Sequence, residues 1–169
     1  TQVHEITEQI KDNGIDIIFL QSGVGSWAAS IIMYMLTFWK TPPLFISVEP
    51  HSANCLFRSI QSAKRISVNS DESTAMAGLD CGTVSTEAWK ILRYGIYGSL
   101  SISDSLMEEA VRVLAHPLMD DKPIKSGESG ASPLAALIGL LKSTEHDDFI
   151  RAIKLNHRSN ILLINTEGD

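Results

Sequence analysis

The sequence lacks clusters of basic residues, and it contains only two cysteines. A chain of 169 residues with a net charge of −6 and no run of lysine or arginine is not expected to bind the phosphate backbone of nucleic acid. Cys55 and Cys81 have no CxxC spacing, and the five histidines have no metal-ligand spacing. We therefore predict no nucleic-acid partner, no metal site, no structural disulfide and a reducing, cytoplasmic location.

The sequence also lacks an apolar run long enough to cross a membrane. The most apolar helical segment, residues 27–39, is shorter than the roughly 20 residues that a spanning helix needs. Residues 1–11 are polar and have no apolar core of a signal peptide. With 44% hydrophobic and 20% charged residues, the composition is that of a globular domain. We predict no membrane partner and interpret residues 27–39 as a buried helix.

What the sequence does contain is an alternation of short apolar runs and helical patterns. The predicted strands are residues 15–20, 44–48, 65–68, 97–102 and 160–164. The predicted helices are one ending at Asn13-Gly14, then 27–39, 52–63, 71–76, one from Ser85, one from Ser103 or Asp104 to His116-Pro117, and 133–141. Parallel strands joined by helices form right-handed βαβ units. We predict an α/β fold with an open, mainly parallel sheet and flanking helices.

The first predicted strand runs into a glycine-containing loop that leads directly into a helix. Gly23 and Gly25 permit backbone conformations and close approaches that a Cβ atom would prevent. The amides of Val24, Gly25 and Ser26 would then point at an anion, with the positive end of the helix dipole behind them. The loop is therefore a candidate phosphate-binding site.

The loop alone leaves two other interpretations open. Gly23 and Gly25, followed by Ala28, satisfy the GxGxxA fingerprint of a NAD-binding Rossmann domain, and Glu49 ends the next strand where a ribose-binding acid would lie. Alternatively, the glycines only permit tight packing between the strand and the helix.

Several segments together resemble a known enzyme family more specifically than the loop does. They are residues 19–26, 48–50, 54–59, 76–82, 126–131 and 165–169. In this order they resemble the carboxyl-terminal half of the diaminopropionate ammonia-lyases, which are pyridoxal-phosphate enzymes of fold type II in the tryptophan synthase β-like group. The resemblance covers nearly the whole chain. It implies that residues 1–169 are the carboxyl-terminal part of such an enzyme.

The resemblance also implies an activity and a set of cofactor contacts. The complete enzyme would convert 2,3-diaminopropionate to pyruvate and ammonia by α,β-elimination, and it would be a homodimer acting on a small amino acid. The segment of Gly23, Val24, Gly25 and Ser26 would bind the phosphate of pyridoxal 5′-phosphate. Gly78 would border the cofactor, and Thr166, with Asn165 as the alternative, would face its pyridine nitrogen.

One further acid is a candidate for the same pocket. Glu128 is flanked by glycines at a helix start, from where a carboxylate can reach the cofactor ring. Its alternative role is to complement the positive end of the helix dipole. Cys81 lies in a candidate pocket loop, but we interpret it as a small buried hydrophobic residue.

The sequence departs from the family in two respects. Residues 80–84 read Asp-Cys-Gly-Thr-Val where the family usually has Ala-Cys-Gly-Glu-Pro, so the contacts of that loop differ. The lysine that binds the cofactor covalently belongs to the amino-terminal half of the family, and no lysine here has that sequence context. We therefore predict no catalytic residue in this chain, which alone is expected to be inactive. A phosphate-ligand-binding remnant or subunit without catalytic activity is the alternative.

Overall fold

The fold is built on one sheet of four parallel strands. The computed structural model describes residues 2–10, 14–69 and 72–168. The strands are β1 (Ile17–Gln21), β2 (Leu44–Pro50), β3 (Gly98–Ile102) and β4 (Ile161–Leu163). They lie in the order β3-β2-β1-β4, and each neighbouring pair is parallel. The prediction of an open, mainly parallel sheet is confirmed.

Helices connect the strands and cover the sheet. They are α1 (Gln2–Ile10), α2 (Ser26–Phe38), α3 (Cys55–Ser62), α4 (Thr86–Gly95), α5 (Asp104–Ala115), α6 (Glu128–Lys142) and α7 (Asp147–Ala152). In the part of the chain that the structure describes, none of these helices combines the length and hydropathy that a bilayer crossing requires. The Ser85 side chain caps α4 by accepting a hydrogen bond from the Ala88 amide, as predicted. The Ser103 side chain caps α5 by accepting from the Leu106 amide, and Ser103 is one of the two residues predicted to begin this helix.

The side chains of the central strand alternate between two hydrophobic cores. Ile18 and Leu20 pack into the core that contains residues of α2, α3 and α4. Ile17 and Phe19 point to the opposite face, where the core contains residues of α5 and α6. Because successive strand residues face opposite sides of a sheet, a strand with a core on each side is apolar along its whole length. This explains the continuous apolar run that predicts β1.

The predictions for residues 65–76 are wrong. Residues 65–68 form no strand, only an isolated antiparallel bridge between Ser67 and Thr83. Residues 72–76 are not helical, and Asp71 lies outside the described residues. Side chains elsewhere hold this segment in an irregular path. Asp104 accepts hydrogen bonds from the Thr74 hydroxyl at 2.6 Å and the Ala75 amide at 2.9 Å, and these bonds replace the regular backbone pairing that the pattern favours.

Two helices also differ from their predicted bounds. The helix predicted at 52–63 is a 3₁₀ turn, His51–Ala53, followed by α3, and the helix predicted at 133–141 begins at Glu128. The proline inside α6, Pro133, has no amide hydrogen for the carbonyl four residues earlier, that of Ser129. The Ser132 hydroxyl donates to that carbonyl at 2.7 Å, which allows the helix to continue through the proline. The first helix was predicted to end at Asn13-Gly14. Asn13 lies outside the described residues, and Gly14 has a φ of 52°. The structure also contains α7, which was not predicted.

Candidate functional site

The carboxyl ends of β1 and β4 open into a cleft of about 390 Å³. From β1 the chain passes to β2 and β3 on one side, whereas β4 lies on the other side of β1. Ligand sites in open α/β sheets lie at such a change of direction, outside the carboxyl ends of the strands. The cleft is lined by Gln21, Ser22, Gly23, Val24, Gly25, Ser26, Trp27, Ala28, Gly78, Leu79, Cys81, Ser129, Thr166 and Glu167.

The glycine loop forms one wall of the cleft and begins α2. Gly25 is the N-cap of α2 and has a φ of 85°, in the left-handed region that favours glycine. It has no side chain to bind the first amides of the helix, which have no carbonyl partners within the helix itself. Gly23 lies so close to the next loop that an added Cβ atom would be 2.9 Å from the carbonyl oxygen of Gly78. The predicted phosphate-binding segment, residues 23–26, therefore lines the cleft at the amino end of α2, the positive end of the helix dipole.

Two polar side chains at the start of this loop have unpaired atoms. Ser22 is 1% exposed and Gln21 is 4% exposed. Among the described residues, the Ser22 hydroxyl and the Gln21 carbonyl oxygen have no hydrogen-bond partner. A buried polar atom without a partner is costly and is rare in folded proteins. Sequence reasoning missed both residues as site residues, although each adjoins the glycine loop at the end of an apolar strand.

Thr166 reaches the cleft after β4, and Asn165 does not. The Thr166 hydroxyl oxygen accepts a hydrogen bond from the Gln21 side-chain nitrogen at 2.8 Å. The Asn165 side chain turns toward the start of α6, where it accepts from the Ser126 hydroxyl at 2.9 Å and donates to the Lys125 carbonyl at 2.9 Å. Of the two predicted alternatives, the structure therefore brings Thr166 to the site.

The loop that contains Gly78 forms the opposite wall. The Gly78 amide donates to the Ser129 hydroxyl at 3.1 Å, which ties this loop to the first turn of α6. Cys81 is partly exposed and lines the cleft, so its interpretation as a buried hydrophobic residue is wrong. Its position follows from the close contact of this loop with Gly23, where an added Cβ atom would lie 3.0 Å from the Cys81 sulfur.

The carboxylate of the cleft comes from Glu167 and not from Glu128. Glu128 is exposed at the first position of α6 and is not among the residues that line the cleft, so the structure does not bring it together with the other predicted site residues. This position is the one that complements the helix dipole. Glu167 lines the cleft and accepts a hydrogen bond from the Gly130 amide at 3.0 Å. The amino end of α6 is thus capped by a carboxylate from the loop after β4.

Glu49 lies outside the cleft and is fully buried. Its two carboxylate oxygens accept hydrogen bonds from the Leu56 amide at 2.8 Å and the Phe57 amide at 2.6 Å, in the first turn of α3. Burial raises the pKa of Glu49 to about 7, against the lowering effect of these hydrogen bonds. The dinucleotide interpretation requires this acid to reach a ribose, and its burial as a helix-capping group rules that role out.

The thiol of Cys55 completes the surroundings of Glu49. Its sulfur lies 3.6 Å from a Glu49 carboxylate oxygen. Burial, together with the nearby Glu49 charge, raises the pKa of Cys55 to about 12, so the thiol stays protonated and donates to the carboxylate. This pair belongs to the connection between β2 and α3 and not to the cleft.

The donors of the cleft fit a phosphate group with a polar ring attached. Backbone amides, an unpaired serine hydroxyl and a helix amino end suit a phosphate. The Thr166 hydroxyl suits a hydrogen-bonding atom at a ring edge. Within the described part of the chain, no lysine lines the cleft, and no group of acids, histidines and cysteines could hold a metal ion. The cleft can therefore bind and orient a phosphorylated cofactor.

Comparison with protein families gives one match that covers most of the chain. The model of the pyridoxal-phosphate dependent enzyme family matches residues 1–157. A curated relative, diaminopropionate ammonia-lyase of Escherichia coli strain K12, is 34% identical over 172 aligned residues, which cover 100% of this chain and 43% of the relative. The chain therefore spans less than half the length of this relative.

Solved structures give a match of the same kind. Diaminopropionate ammonia lyase from Escherichia coli, in complex with an aminoacrylate-PLP azomethine reaction intermediate, has a TM-score of 0.86 and 32% identity, covering 98% of this chain and 43% of that one. Serine racemase of maize has a TM-score of 0.76 at 18% identity, covering 99% of this chain and 46% of that one. The second match is a likeness of fold alone.

Proposed function

The chain belongs to the pyridoxal-phosphate dependent enzyme family, and from this premise we propose that the complete protein converts 2,3-diaminopropionate and water to pyruvate and two molecules of ammonia. The first ammonia leaves by elimination of the β-amino group, and the second leaves by hydrolysis. The similarity to a diaminopropionate ammonia-lyase over the full length of the chain supports this substrate. The related structure that carries an aminoacrylate-PLP adduct supports an elimination. The substrate of the complete protein would then be a small amino acid.

The observation that carries the proposal is that one cleft is lined both by the amino end of α2 and by Thr166. Gly23, Val24, Gly25 and Ser26 supply backbone amides at the amino end of α2, and the buried Ser22 hydroxyl has no partner among the described residues. We propose that these groups bind the phosphate, since hydrogen bonds to a charged group are the strong ones. Phosphate binding at this end fixes the position of the ring along the cleft.

At the ring, the proposed roles belong to Gly78 and Thr166. When bound, pyridoxal phosphate supplies an electron sink that makes the α-proton of an amino acid acidic. Gly78 lines the cleft and would border the ring. An added Cβ atom at this position would lie 3.0 Å from the Ser129 hydroxyl oxygen, so the position has little room for a side chain. The Thr166 hydroxyl would donate a hydrogen bond to the pyridine nitrogen and keep its proton. A neutral donor leaves this nitrogen unprotonated and moderates the electron sink, which favours elimination over the other reactions of the same cofactor.

We propose that the lysine bound covalently to the cofactor, and the acids that act on the substrate, come from a part of the protein outside residues 1–169. No lysine among the described residues lines the cleft, and the curated relative is more than twice as long as this chain. Residues 1–169 would then be the carboxyl-terminal part of the enzyme, which binds the phosphate and orients the ring.

We further propose that the complete protein is a cytoplasmic homodimer. Both cysteines are free in the structure, which suits a reducing compartment. The homodimer rests on the resemblance of the loop segments to the lyase family. Light scattering on the complete protein after size-exclusion chromatography tests it, and a monomeric mass would contradict it.

The activity is tested on the complete protein with pyridoxal phosphate and 2,3-diaminopropionate. We expect pyruvate and ammonia to form, with pyruvate measured by coupled reduction to lactate. Threonine and serine serve as comparison substrates, and we expect lower kcat/KM values for both. Cofactor binding without turnover of any of the three amino acids would favour the alternative of a non-catalytic ligand-binding protein.

Replacement of Ser22 by alanine tests the phosphate wall. Loss of a hydrogen bond to a charged group costs about 1.5 to 3 kcal/mol, so we expect the dissociation constant of pyridoxal phosphate to rise about ten- to hundredfold. Without cofactor the Ser22 hydroxyl has no partner among the residues that the structure describes, so we expect no loss in the melting temperature of the cofactor-free protein. Ser62→Ala, on the exposed end of α3, is the matched control. Unchanged cofactor affinity in Ser22→Ala would contradict the proposed role.

A further inference from the structure

We propose that Gln21 is a positioning residue that directs the hydroxyl proton of Thr166 into the cleft, toward the pyridine nitrogen of the cofactor. This inference rests on the proposed function and deepens it. Gln21 ends β1 and Thr166 follows β4, so the contact joins two neighbouring strands at the edge where the cleft opens. Although the two residues are 145 positions apart in the sequence, their side chains are in direct contact.

The orientation of the Gln21 side chain is fixed by chemistry. One of its terminal atoms lies 2.9 Å from the backbone carbonyl oxygen of Ile164. A carbonyl oxygen only accepts hydrogen bonds, so this terminal atom must be the amide nitrogen. The same nitrogen lies 2.8 Å from the Thr166 hydroxyl oxygen. The nitrogen carries two hydrogens, and one is directed at each oxygen.

This arrangement determines what the Thr166 hydroxyl can do. A hydroxyl group donates one hydrogen and accepts others. The Thr166 hydroxyl oxygen already accepts a hydrogen bond from the Gln21 side-chain nitrogen. That nitrogen is only a donor, so it cannot accept the Thr166 hydroxyl hydrogen. Within the described part of the chain, Thr166 has no other side-chain partner that would take its proton. The hydroxyl proton therefore remains for a group in the cleft, and Thr166 acts there as a donor.

The unpaired end of Gln21 supports the same conclusion. Its carbonyl oxygen is buried and has no hydrogen-bond partner among the described residues. This oxygen does not hold the side chain in place, and its burial carries an energetic cost. The two bonds made by the nitrogen hold the side chain, and one of them serves Thr166. A leucine would fill similar space without the cost, so the donor function explains why an amide is found here.

A double-mutant cycle in the complete protein tests the inference. The variants are Gln21→Leu, Thr166→Val and their combination, and the readout is the dissociation constant of pyridoxal phosphate for the cofactor-free protein. Gln21→Leu removes the bond to Ile164 in both backgrounds, so this structural effect cancels in the cycle. We expect Gln21→Leu to raise the dissociation constant about fivefold when Thr166 is present and less than twofold when Val replaces it.

A spectroscopic readout and two controls complete the test. The visible absorption band of the bound cofactor depends on the hydrogen bond at the ring nitrogen, so we expect its pH dependence to change in Gln21→Leu and to change no further in the double variant. Thr166→Ser keeps the hydroxyl, and the fivefold effect of Gln21→Leu should persist in that background. Gln61→Leu and Thr37→Val, at exposed helix positions, control for the substitutions themselves.

Each outcome separates this inference from the function on which it rests. If the unaltered protein binds no pyridoxal phosphate, the proposed function is overturned, and the role of Gln21 with it. If the unaltered protein binds the cofactor but Gln21→Leu has the same effect with and without the Thr166 hydroxyl, Gln21 only supports the end of β4. In that case the inference fails and the function stands.

Discussion

Replacing Gly25 by alanine is expected to destabilise the complete protein by about 3 kcal/mol and to weaken cofactor binding at least a hundredfold. Two independent features of the position produce this effect. Its φ of 85° lies in a region that residues with a Cβ atom rarely adopt. The added Cβ atom would also lie 2.5 Å from a terminal carbon of Leu92, a fully buried core residue of α4. Both features push the loop, and with it the amides at the start of α2, out of place.

A matched glycine separates the two causes. Gly14 has a φ of 52°, but an added Cβ atom there meets nothing within 4 Å. Gly14→Ala should therefore show the cost of the backbone conformation alone, about 1 kcal/mol, and it should leave cofactor affinity unchanged. The measurements are denaturant unfolding of the cofactor-free protein and titration with pyridoxal phosphate. Equal effects of the two substitutions on both quantities would mean that contact with the core is not what fixes the loop.

Gly23 gives a second test of the same wall without positive φ. An alanine there would bring its Cβ atom to 2.9 Å from the Gly78 carbonyl and 3.0 Å from the Cys81 sulfur. The backbone carbonyl cannot rotate away as a side chain can, so the two walls of the cleft must separate. Gly23→Ala should therefore weaken cofactor binding more than it lowers the free energy of unfolding, because the cleft widens while the core around Leu92 is undisturbed.

The glycine loop could be predicted because its signals are local. An apolar run, two glycines and a helix follow one another within about a dozen residues, and the structure reproduces that order. The proposed phosphate-binding wall lies within this one stretch of chain. A short segment with strong backbone preferences needs little information from the rest of the molecule.

The ring side of the cleft could not be predicted in the same way. Gln21 meets Thr166, and Gly78 meets Ser129, only because β4 pairs with β1 and α6 packs beside them. Nothing near Gln21 in the sequence indicates that its amide will bind a hydroxyl 145 residues away. The resemblance to a family identified Thr166, and the partner that orients it appears only in the structure.

Where the sequence pattern led to wrong elements, hydrogen bonds to side chains of other segments are the physical reason. Residues 65–68 have the composition of a strand, but the Ile66 amide binds the Ser59 hydroxyl at 2.8 Å instead of an adjacent strand. Residues 72–76 have the composition of a helix start, but Asp104 takes the donors of Thr74 and Ala75. Local preferences favour the predicted elements, and these tertiary bonds override them.

The position of Glu49 predicts the second large effect, a stability that depends on pH. In the unfolded chain this carboxyl has its ordinary pKa near 4.5, and in the folded protein burial raises the pKa to about 7. Between these two pH values the folded protein holds a proton that the unfolded chain has lost. The stability contributed by this group is therefore fully present below about pH 4.5, and it is lost as the pH rises through 7.

The size of this effect follows from the two pKa values. Each unit of difference corresponds to about 1.4 kcal/mol, so the contribution of Glu49 should fall by roughly 2 to 3 kcal/mol between pH 5 and pH 8. The experiment compares denaturant unfolding of the unaltered protein and of Glu49→Gln at several pH values. Other groups titrate in both proteins and cancel in the difference, so the stability advantage of the unaltered protein should shrink by this amount as the pH rises.

An exposed acid provides the control. A stability advantage of the unaltered protein over Glu49→Gln that grows with pH would contradict the prediction. Glu87→Gln removes a largely exposed carboxylate on α4 that pairs with Lys90, and it controls for the substitution itself. If the advantage of Glu49 instead grew with pH, the hydrogen bonds from Leu56 and Phe57 would outweigh burial, and the ionised form would be the one that caps α3. The sign of the pH dependence of this stability difference therefore shows whether burial or hydrogen bonding to the start of α3 has the larger effect on the Glu49 carboxyl.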